Sequence, residues 1–118
     1  MTFRVKRVYE AASPADGARI LVDRLWPRGL TKSAAHLTAW MKEIAPTPSL
    51  RKWFGHEHER FPEFSRRYTG ELRNNPALAE LYELGKRQTV TLLYGARDPE
   101  VNHAVVLLSE LRRRRSSR

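Results

Sequence analysis

Thr89-Val-Thr-Leu-Leu-Tyr94 is the segment that decides the fold class of this chain. Its consecutive apolar residues indicate a strand that is covered on both faces. Asp98-Pro99-Glu100 follows shortly afterwards and has the residue types of a helix N-terminus, with Asp98 as the N-cap and Pro99 at the first helical position. Helical spacing then places five apolar residues on one face: Val101, Ala104, Val105, Leu108 and Leu111. A buried strand that leads into a helix is typical of an α/β domain with parallel strands.

Two earlier segments supply further strands. Arg19-Ile-Leu-Val-Asp-Arg-Leu25 contains an apolar run and indicates a central strand, whereas Phe3-Arg-Val-Lys6 alternates apolar with basic residues and indicates a half-exposed strand near an edge. The turn-rich segment between them, residues 11–17, is too short for a helical crossover. The first two strands are therefore either antiparallel neighbours or not direct neighbours.

The middle of the chain is predicted to be helical. Thr31 is the predicted N-cap of a helix that ends before Pro46, and Ser49 is the predicted cap of a short helical turn. A helix begins at Pro62, and another follows Asn75-Pro76 with Gly85 at its C′ position. The predicted inward stripes of the three longer helices are Leu37, Trp40, Met41 and Ile44; then Phe64, Tyr68 and Leu72; then Leu78, Leu81 and Leu84. We expect one small α/β domain, three-layer-like, with a short, mostly parallel sheet flanked by helices.

Length and charge bound the organisation of the chain. The 118 residues allow one domain, which we place at residues 1–111. The net charge is +9, and the five arginines of residues 112–118 contribute +5 of it, so the rest of the chain carries +4. We expect these last residues to form a solvated, disordered basic tail, with nucleic-acid contact through that tail as the alternative.

Composition excludes several classes of protein. The chain has no cysteine, which removes disulfides, thiolate catalysis and cysteine-based metal sites. Its longest uncharged apolar stretch, residues 104–109, is too short to span a membrane, and the N-terminus lacks the apolar block of a signal peptide. We therefore expect a cytoplasmic protein without membrane contact.

A candidate ligand site follows from the rule that ligands of open parallel sheets bind beyond the carboxyl ends of the strands. The two central strands end in Asp23-Arg-Leu-Trp-Pro-Arg-Gly29 and Tyr94-Gly-Ala-Arg-Asp98. If these ends are close, three arginines crowd one mouth and favour a phosphate or carboxylate ligand. The predicted ligand-binding residues are Arg24, Trp26, Arg28, Tyr94, Arg97 and Asn102. The alternative is a structural network in which Asp23 and Asp98 neutralise the arginines.

Asp98 and His103 are the candidate proton carriers of that site, and therefore its candidate catalytic residues. Asp98 has a competing explanation as a helix cap. His56 and His58 have a spacing that favours a metal pair only in an extended segment, so we predict no metal site and expect His56 at the rim of the pocket. No motif identifies a cofactor, which stays unknown.

Several of these segments together resemble one known family. They are residues 23–29, 40–46, 50–56, 64–68 and 91–98, with Asn102-His-Ala104, and the match spans Val5 to Leu111. The chain resembles the YeaO-like family of small bacterial proteins, a domain of unknown function numbered 488. The resemblance implies a small cytosolic α/β protein and supplies no established reaction.

Taken together, the sequence favours a protein that binds a small anionic ligand, with an enzymatic role left open. The alternatives are a nucleic-acid-associated basic module and a protein-interaction domain.

Overall fold

The sheet holds four parallel strands, and its order brings the first and last parts of the chain together. The computed structural model describes residues 2–116, and its strands are β1 (Phe3–Arg7), β2 (Ala18–Leu21), β3 (Ala39–Trp40) and β4 (Val90–Tyr94). Their order is β1-β4-β2-β3, with Val90 of β4 level with both Phe3 and Ala18. The predicted α/β class is confirmed. The first two strands are not neighbours, because β4 lies between them.

Five helices accompany the sheet: α1 (Lys32–Ala35), α2 (Pro48–Phe54), α3 (Phe61–Arg73), α4 (Pro76–Arg87) and α5 (His103–Ser116). Short 3₁₀ turns occupy Pro14–Asp16, Lys42–Ile44 and His58–Arg60. Among residues 2–116, no helix is long and apolar enough to cross a membrane.

The two faces of the sheet are covered differently. One face packs against α2 to α5 around a large core that includes Ile20, Leu92 and the predicted Phe64, Tyr68 and Leu72. The other face is covered by α1 and irregular segments, and its buried centre is Val8, Leu21 and Leu93. The helical layers of the predicted architecture are thus unequal.

The predicted helix from Thr31 to Ala45 is wrong beyond its first turn. Thr31 does cap α1, but α1 ends at Ala35 and His36 takes a left-handed conformation with φ of 49°. The apolar residues that suggested a helical stripe face different cores: Leu37 and Trp40 pack on the second face of the sheet, and Ile44 packs on the first. One helix cannot reach both faces, so the chain forms β3 instead.

Two predicted helix ends also differ from the structure. Thr47, rather than Ser49, caps α2, because its hydroxyl accepts from the amide of Leu50. Gly85 does not end α4, which continues to Arg87. A Cβ atom at Gly85 would lie 2.0 Å from Cζ of Phe3, so this glycine lets α4 approach the ring of the edge strand.

The C-terminal part of α5 crosses the predicted domain boundary. Leu111 is buried, and the helix continues to Ser116, while residues 117 and 118 lie outside the described part of the chain. Arg112 donates to the carbonyl of Phe3, and Arg113 pairs with Glu110. The boundary between domain and tail stays a prediction.

A buried polar network ties the second face together. Asp16 pairs with Arg19 and with Lys6, and the Arg19 guanidinium also donates to the carbonyl of Ala35 at the end of α1. Burial raises the pKa of Asp16, but hydrogen bonds from the amide of Ser13 and from Lys6 and Arg19 outweigh it, so the pKa lies below the ordinary value of 3.8. The carboxylate is therefore the stabilising form.

We expect Gly85→Ala to destabilise the protein by about 1–3 kcal/mol, because the added methyl group overlaps the Phe3 ring. Gly70→Ala is the matched control: it lies mid-helix in α3 with nothing near its Cβ position, so it should stabilise by up to about 1 kcal/mol. Urea unfolding of both variants measures the difference. Equal stabilisation by both would contradict the Phe3 contact.

We expect Asp16→Asn to destabilise far more than Glu63→Gln, which removes two exposed ion pairs, with Arg66 and Arg67. Because the folded-state pKa of Asp16 is lowered, its contribution is present above pH 3.8 and is lost as the pH falls through the lowered value. Urea midpoints of wild type and Asp16→Asn should therefore converge in acid. A constant difference down to the lowest pH would assign the effect to packing instead.

Candidate functional site

A cavity of about 380 Å³ opens at the carboxyl edge of the sheet, beside the ends of β2 and β4. The chain leaves β2 toward α1 on one face of the sheet and leaves β4 toward α5 on the other. Neighbouring parallel strands whose connections diverge in this way leave a crevice between their loops. The cavity occupies that crevice.

The residues that line the cavity come from distant parts of the chain, between Tyr9 and His103. Its charged and imidazole side chains are Asp23, Arg24, Arg28, Arg51, His56 and His103, and its aromatic side chains are Tyr9, Trp26, Phe54 and Phe64. Asn102, Gly95 and Pro46 also contribute. Three arginines and one aspartate therefore line the cavity.

Asp23 joins the strand ends at the base of the cavity. Its Oδ2 accepts a hydrogen bond of 2.9 Å from the amide of Gly95, and its backbone carbonyl accepts from the indole of Trp40. A Cβ atom at Gly95 would lie 2.9 Å from Oδ2, so a glycine here allows the close approach. The other carboxylate oxygen, Oδ1, is buried and has no hydrogen bond.

His103 faces Asp23 from the first turn of α5. Its Nε2 lies 3.0 Å from the carbonyl oxygen of Val22 and 3.2 Å from Asp23 Oδ1, and only the first contact has hydrogen-bond geometry. Nε2 must therefore carry a proton, since a carbonyl only accepts. The imidazole ring also meets the buried ring of Tyr68 edge-on at 6.2 Å. His103 is thus fixed beside the only carboxylate among the described residues that line the cavity.

Arg24 forms part of the cavity wall and also holds it in place. Its Nε and Nη2 atoms donate to the carbonyls of Pro46 and Ala45, at 3.1 and 3.2 Å. These bonds fix the chain between the 3₁₀ turn and α2. The guanidinium still has donors that the two carbonyls do not use.

Arg28 and Arg51 also line the cavity, and both residues are exposed. The Tyr9 hydroxyl donates to the backbone carbonyl of Arg28, which anchors the loop after β2. Within residues 2–116, none of Arg24, Arg28 and Arg51 forms an ion pair. Asp23 faces His103 and Asp98 pairs with His58, so the predicted neutralisation of the strand-end arginines by these aspartates is absent from the described residues.

Trp26 is both a core residue and a wall of the cavity. Its indole nitrogen donates to the carbonyl of Leu30, and its ring meets Trp40 edge-on at 5.3 Å. The remaining surface of the ring borders the cavity. Two further aromatic residues of the lining, Phe54 and Phe64, stack with ring centroids 4.2 Å apart.

Three of the predicted site residues lie outside the cavity. Tyr94 is buried beside Leu92 in the large core, because strand alternation turns its ring under the helical layer, and burial raises the pKa of its hydroxyl. Arg97 is exposed and Asp98 points away to His58, at 3.0 Å. Arg24, Trp26, Arg28, Asn102 and His103 are the predicted residues that do line it.

The N-terminus of α5 has two successive caps rather than the single predicted one. Asp98 Oδ1 accepts from the amides of Glu100 and Val101, and these bonds, together with His58, hold the pKa of its carboxyl below the usual value. Asn102 is the N-cap of α5: its Oδ1 accepts from Val105, and its Nδ2 donates to the carbonyl of Asp98. The predicted assignment of Asp98 and Pro99 to the first positions of this helix is therefore wrong. Asn102 is buried, and its cap fixes the start of α5 and with it the position of His103 beside the cavity.

His56 and His58 diverge in the structure. His56 lines the cavity, whereas His58 pairs with Asp98 on the surface. No group of three or more histidine, aspartate or glutamate side chains within the described chain is arranged to hold a metal ion.

Sequence reasoning missed Arg51, Phe54 and Tyr9 as cavity residues, and it treated Asp23 only as a counter-charge. Asp23 follows a buried strand closely, which is a signal that could have identified it. Arg51 and Phe54 lie on α2, and no local pattern shows which edge of the sheet a helix will approach. Their position depends on contacts between distant parts of the chain, such as Arg24 with Pro46.

The fold and cavity define a small parallel α/β protein with a candidate ligand site at the switch point of its sheet. A family model described as "Inactive DUF488-N3 subclade" matches residues 2–118. The chain is 44% identical over 113 residues to the uncharacterised protein YeaO of Escherichia coli K12, covering 95% of this chain and 98% of YeaO. It is 47% identical over 104 residues to the uncharacterised protein Rv3073c of Mycobacterium tuberculosis H37Rv, covering 88% of each chain. No solved structure matches. The chain belongs to the YeaO-like DUF488 family, which confirms the resemblance seen in the motifs.

We expect Asn102→Ala to destabilise by about 1–3 kcal/mol, because it removes a buried cap and leaves the amide of Val105 without a partner. Asp98→Asn keeps an oxygen acceptor for the two amides and should change stability little, whereas Asp98→Ala should destabilise measurably but less than Asn102→Ala. Urea unfolding of the three variants ranks them. A larger loss for Asp98→Ala than for Asn102→Ala would restore Asp98 as the dominant cap.

Proposed function

We propose that this protein binds a small anionic ligand, bearing a phosphate or carboxylate group, in the cavity at the carboxyl edge of the sheet. The observation that carries the proposal is the charge of the lining: three arginines without ion-pair partners in the described chain, against the single carboxylate of Asp23. Guanidinium groups that share one mouth repel one another, and an anion relieves that repulsion through paired hydrogen bonds.

The rest of the lining supports a ligand with an apolar, planar part. Phe54, Phe64 and Trp26 border the cavity, together with Pro27 and Pro46. A volume of about 380 Å³ is within the range of small-molecule sites. In this proposal the anionic group lies against Arg24, Arg28 and Arg51, and the apolar part lies against the aromatic rings.

We propose binding rather than turnover as the function. The description of the matching family model as an inactive subclade favours this choice. The proton on His103 Nε2 is directed to the carbonyl of Val22, which leaves it poorly placed for transfer to a ligand. In a binding protein, Asp23 and His103 shape the base of the cavity and orient the ligand. A cytoplasmic location is part of the same proposal.

The alternative of a nucleic-acid module rests on the basic C-terminal residues. Part of that charge is compensated within the fold, because Arg113 forms an ion pair with Glu110. This observation favours the small-ligand proposal.

The test is binding of phenyl phosphate, inorganic phosphate, benzoate and AMP, measured by calorimetry and by the shift of the melting temperature. A ligand that binds only the folded state at 100 times its Kd stabilises by about 2.7 kcal/mol. We expect Arg51→Ala to weaken binding by roughly tenfold or more, since it removes a charged hydrogen bond. Arg87→Ala removes the same charge from α4, away from the cavity, and should bind as wild type does.

Two outcomes contradict the proposal. One is the absence of binding by all four compounds. The other is equal loss of affinity in Arg51→Ala and Arg87→Ala, which would reduce the effect to net charge. Tight oligonucleotide binding at physiological salt that survives Arg51→Ala would favour the nucleic-acid alternative instead.

A further inference from the structure

His56 adopts a backbone conformation that is unfavourable for its residue type. Its φ is 59°, in the left-handed region, directly after Gly55 with φ of 52°. A side chain with a Cβ atom is strained there, although histidine tolerates this region better than most residues. Gly55 already provides the left-handed C-cap of α2, so His56 is a second left-handed residue in succession.

This conformation places His56 at the wall of the candidate cavity. Its ring centroid lies 5.9 Å from that of Phe54, and both residues line the cavity together with Arg51 of α2. His56 itself is exposed, so burial of its ring does not account for a histidine at a position that suits glycine. Residues held in unfavourable backbone conformations cluster at ligand sites, where the side chain is needed in one place.

We propose that His56 is a ligand-contacting residue, whose imidazole donates a hydrogen bond to the anionic group held by the cavity arginines. The inference rests on the proposed function and adds a specificity-determining residue to it. The ligand class that fits is a phosphate monoester with a planar apolar part: its several oxygens can accept from Arg51 and His56 together, while the ring lies against Phe54.

The chain provides a matched comparison in His36. It has φ of 49°, is exposed, and is the left-handed C-cap of α1. It does not line the cavity, and its contact with Arg19 is made by its backbone carbonyl, which glycine preserves. His56→Gly and His36→Gly therefore make the same chemical change at the same kind of backbone position, the first inside the site and the second outside it.

The experiment measures the melting temperature and the Kd for phenyl phosphate of wild type, His36→Gly and His56→Gly. Both variants should be as stable as wild type or more so, because glycine relieves the left-handed strain. His56→Gly should bind phenyl phosphate roughly tenfold more weakly, whereas His36→Gly should bind as wild type does. His56→Asn, which tolerates the same conformation but has a shorter side chain, should also bind weakly and excludes loop flexibility as the cause.

The outcomes separate this inference from the proposal on which it rests. If wild type binds phenyl phosphate and Arg51→Ala loses affinity, but His56→Gly and His56→Asn bind normally, the proposed function stands and the role of His56 is wrong. If wild type binds none of the four compounds, both are wrong. A clear loss of stability in His56→Gly, without one in His36→Gly, would make His56 a structural residue.

Discussion

The junction at Asp23 is the constraint on which the site depends. β4 is the last strand in the chain, yet it lies between β1 and β2, so the sheet is complete only when the N-terminal and C-terminal parts of the chain meet. Asp23 fixes that meeting at the carboxyl edge: its side chain accepts from Gly95 after β4, faces His103 of α5, and its carbonyl holds Trp40 of β3. Moving any of these segments would separate the groups that form the base of the cavity.

The same arrangement determines the electrostatics of the cavity. The Asp23 carboxylate accepts from Gly95 and lies beside His103, and it forms no ion pair with the arginines that follow it in the loop. Arg24 instead donates to the carbonyls of Ala45 and Pro46, and these hydrogen bonds hold the segment that precedes α2. Because both acceptors are neutral, the positive charge of Arg24 stays uncompensated. Structural contacts and an excess of positive charge thus come from the same residues, and the fold keeps its arginines together without a matching carboxylate.

The strand-end rule accounts for how much of the site was predictable. The predicted residues that line the cavity lie within seven residues of the end of β2 or at the start of α5, so the pairing of parallel strands brings them to one edge of the sheet: Arg24, Trp26, Arg28, Asn102 and His103. The rule fails for Tyr94 and Asp98 because proximity along the chain does not fix direction. Successive residues of a strand point to opposite faces of the sheet, so Tyr94 at the strand end faces the core. Asp98 accepts a hydrogen bond from the amide of Val101 in its own turn and pairs with His58, so its carboxylate points away from the cavity. Arg51 and His56 belong to α2 and its C-terminal turn, whose approach to the strand ends has no local signature.

The sequence by itself determined the elements whose apolar pattern matches their burial in the structure. The runs of β2 and β4 are buried throughout, and Phe64, Tyr68 and Leu72 form one inward stripe of α3, so periodicity alone identifies them. Only the tertiary structure decided the segment from His36 to Ile44, where Trp40 and Ile44 pack on opposite faces of the sheet and the helical spacing is coincidental. It also decided that α4 continues through Gly85, because the Phe3 ring lies against that position, and that Asn102 rather than Asp98 caps α5. The physical reason is common to all three: local propensities are worth about 1 kcal/mol each, and contacts between distant residues outweigh them.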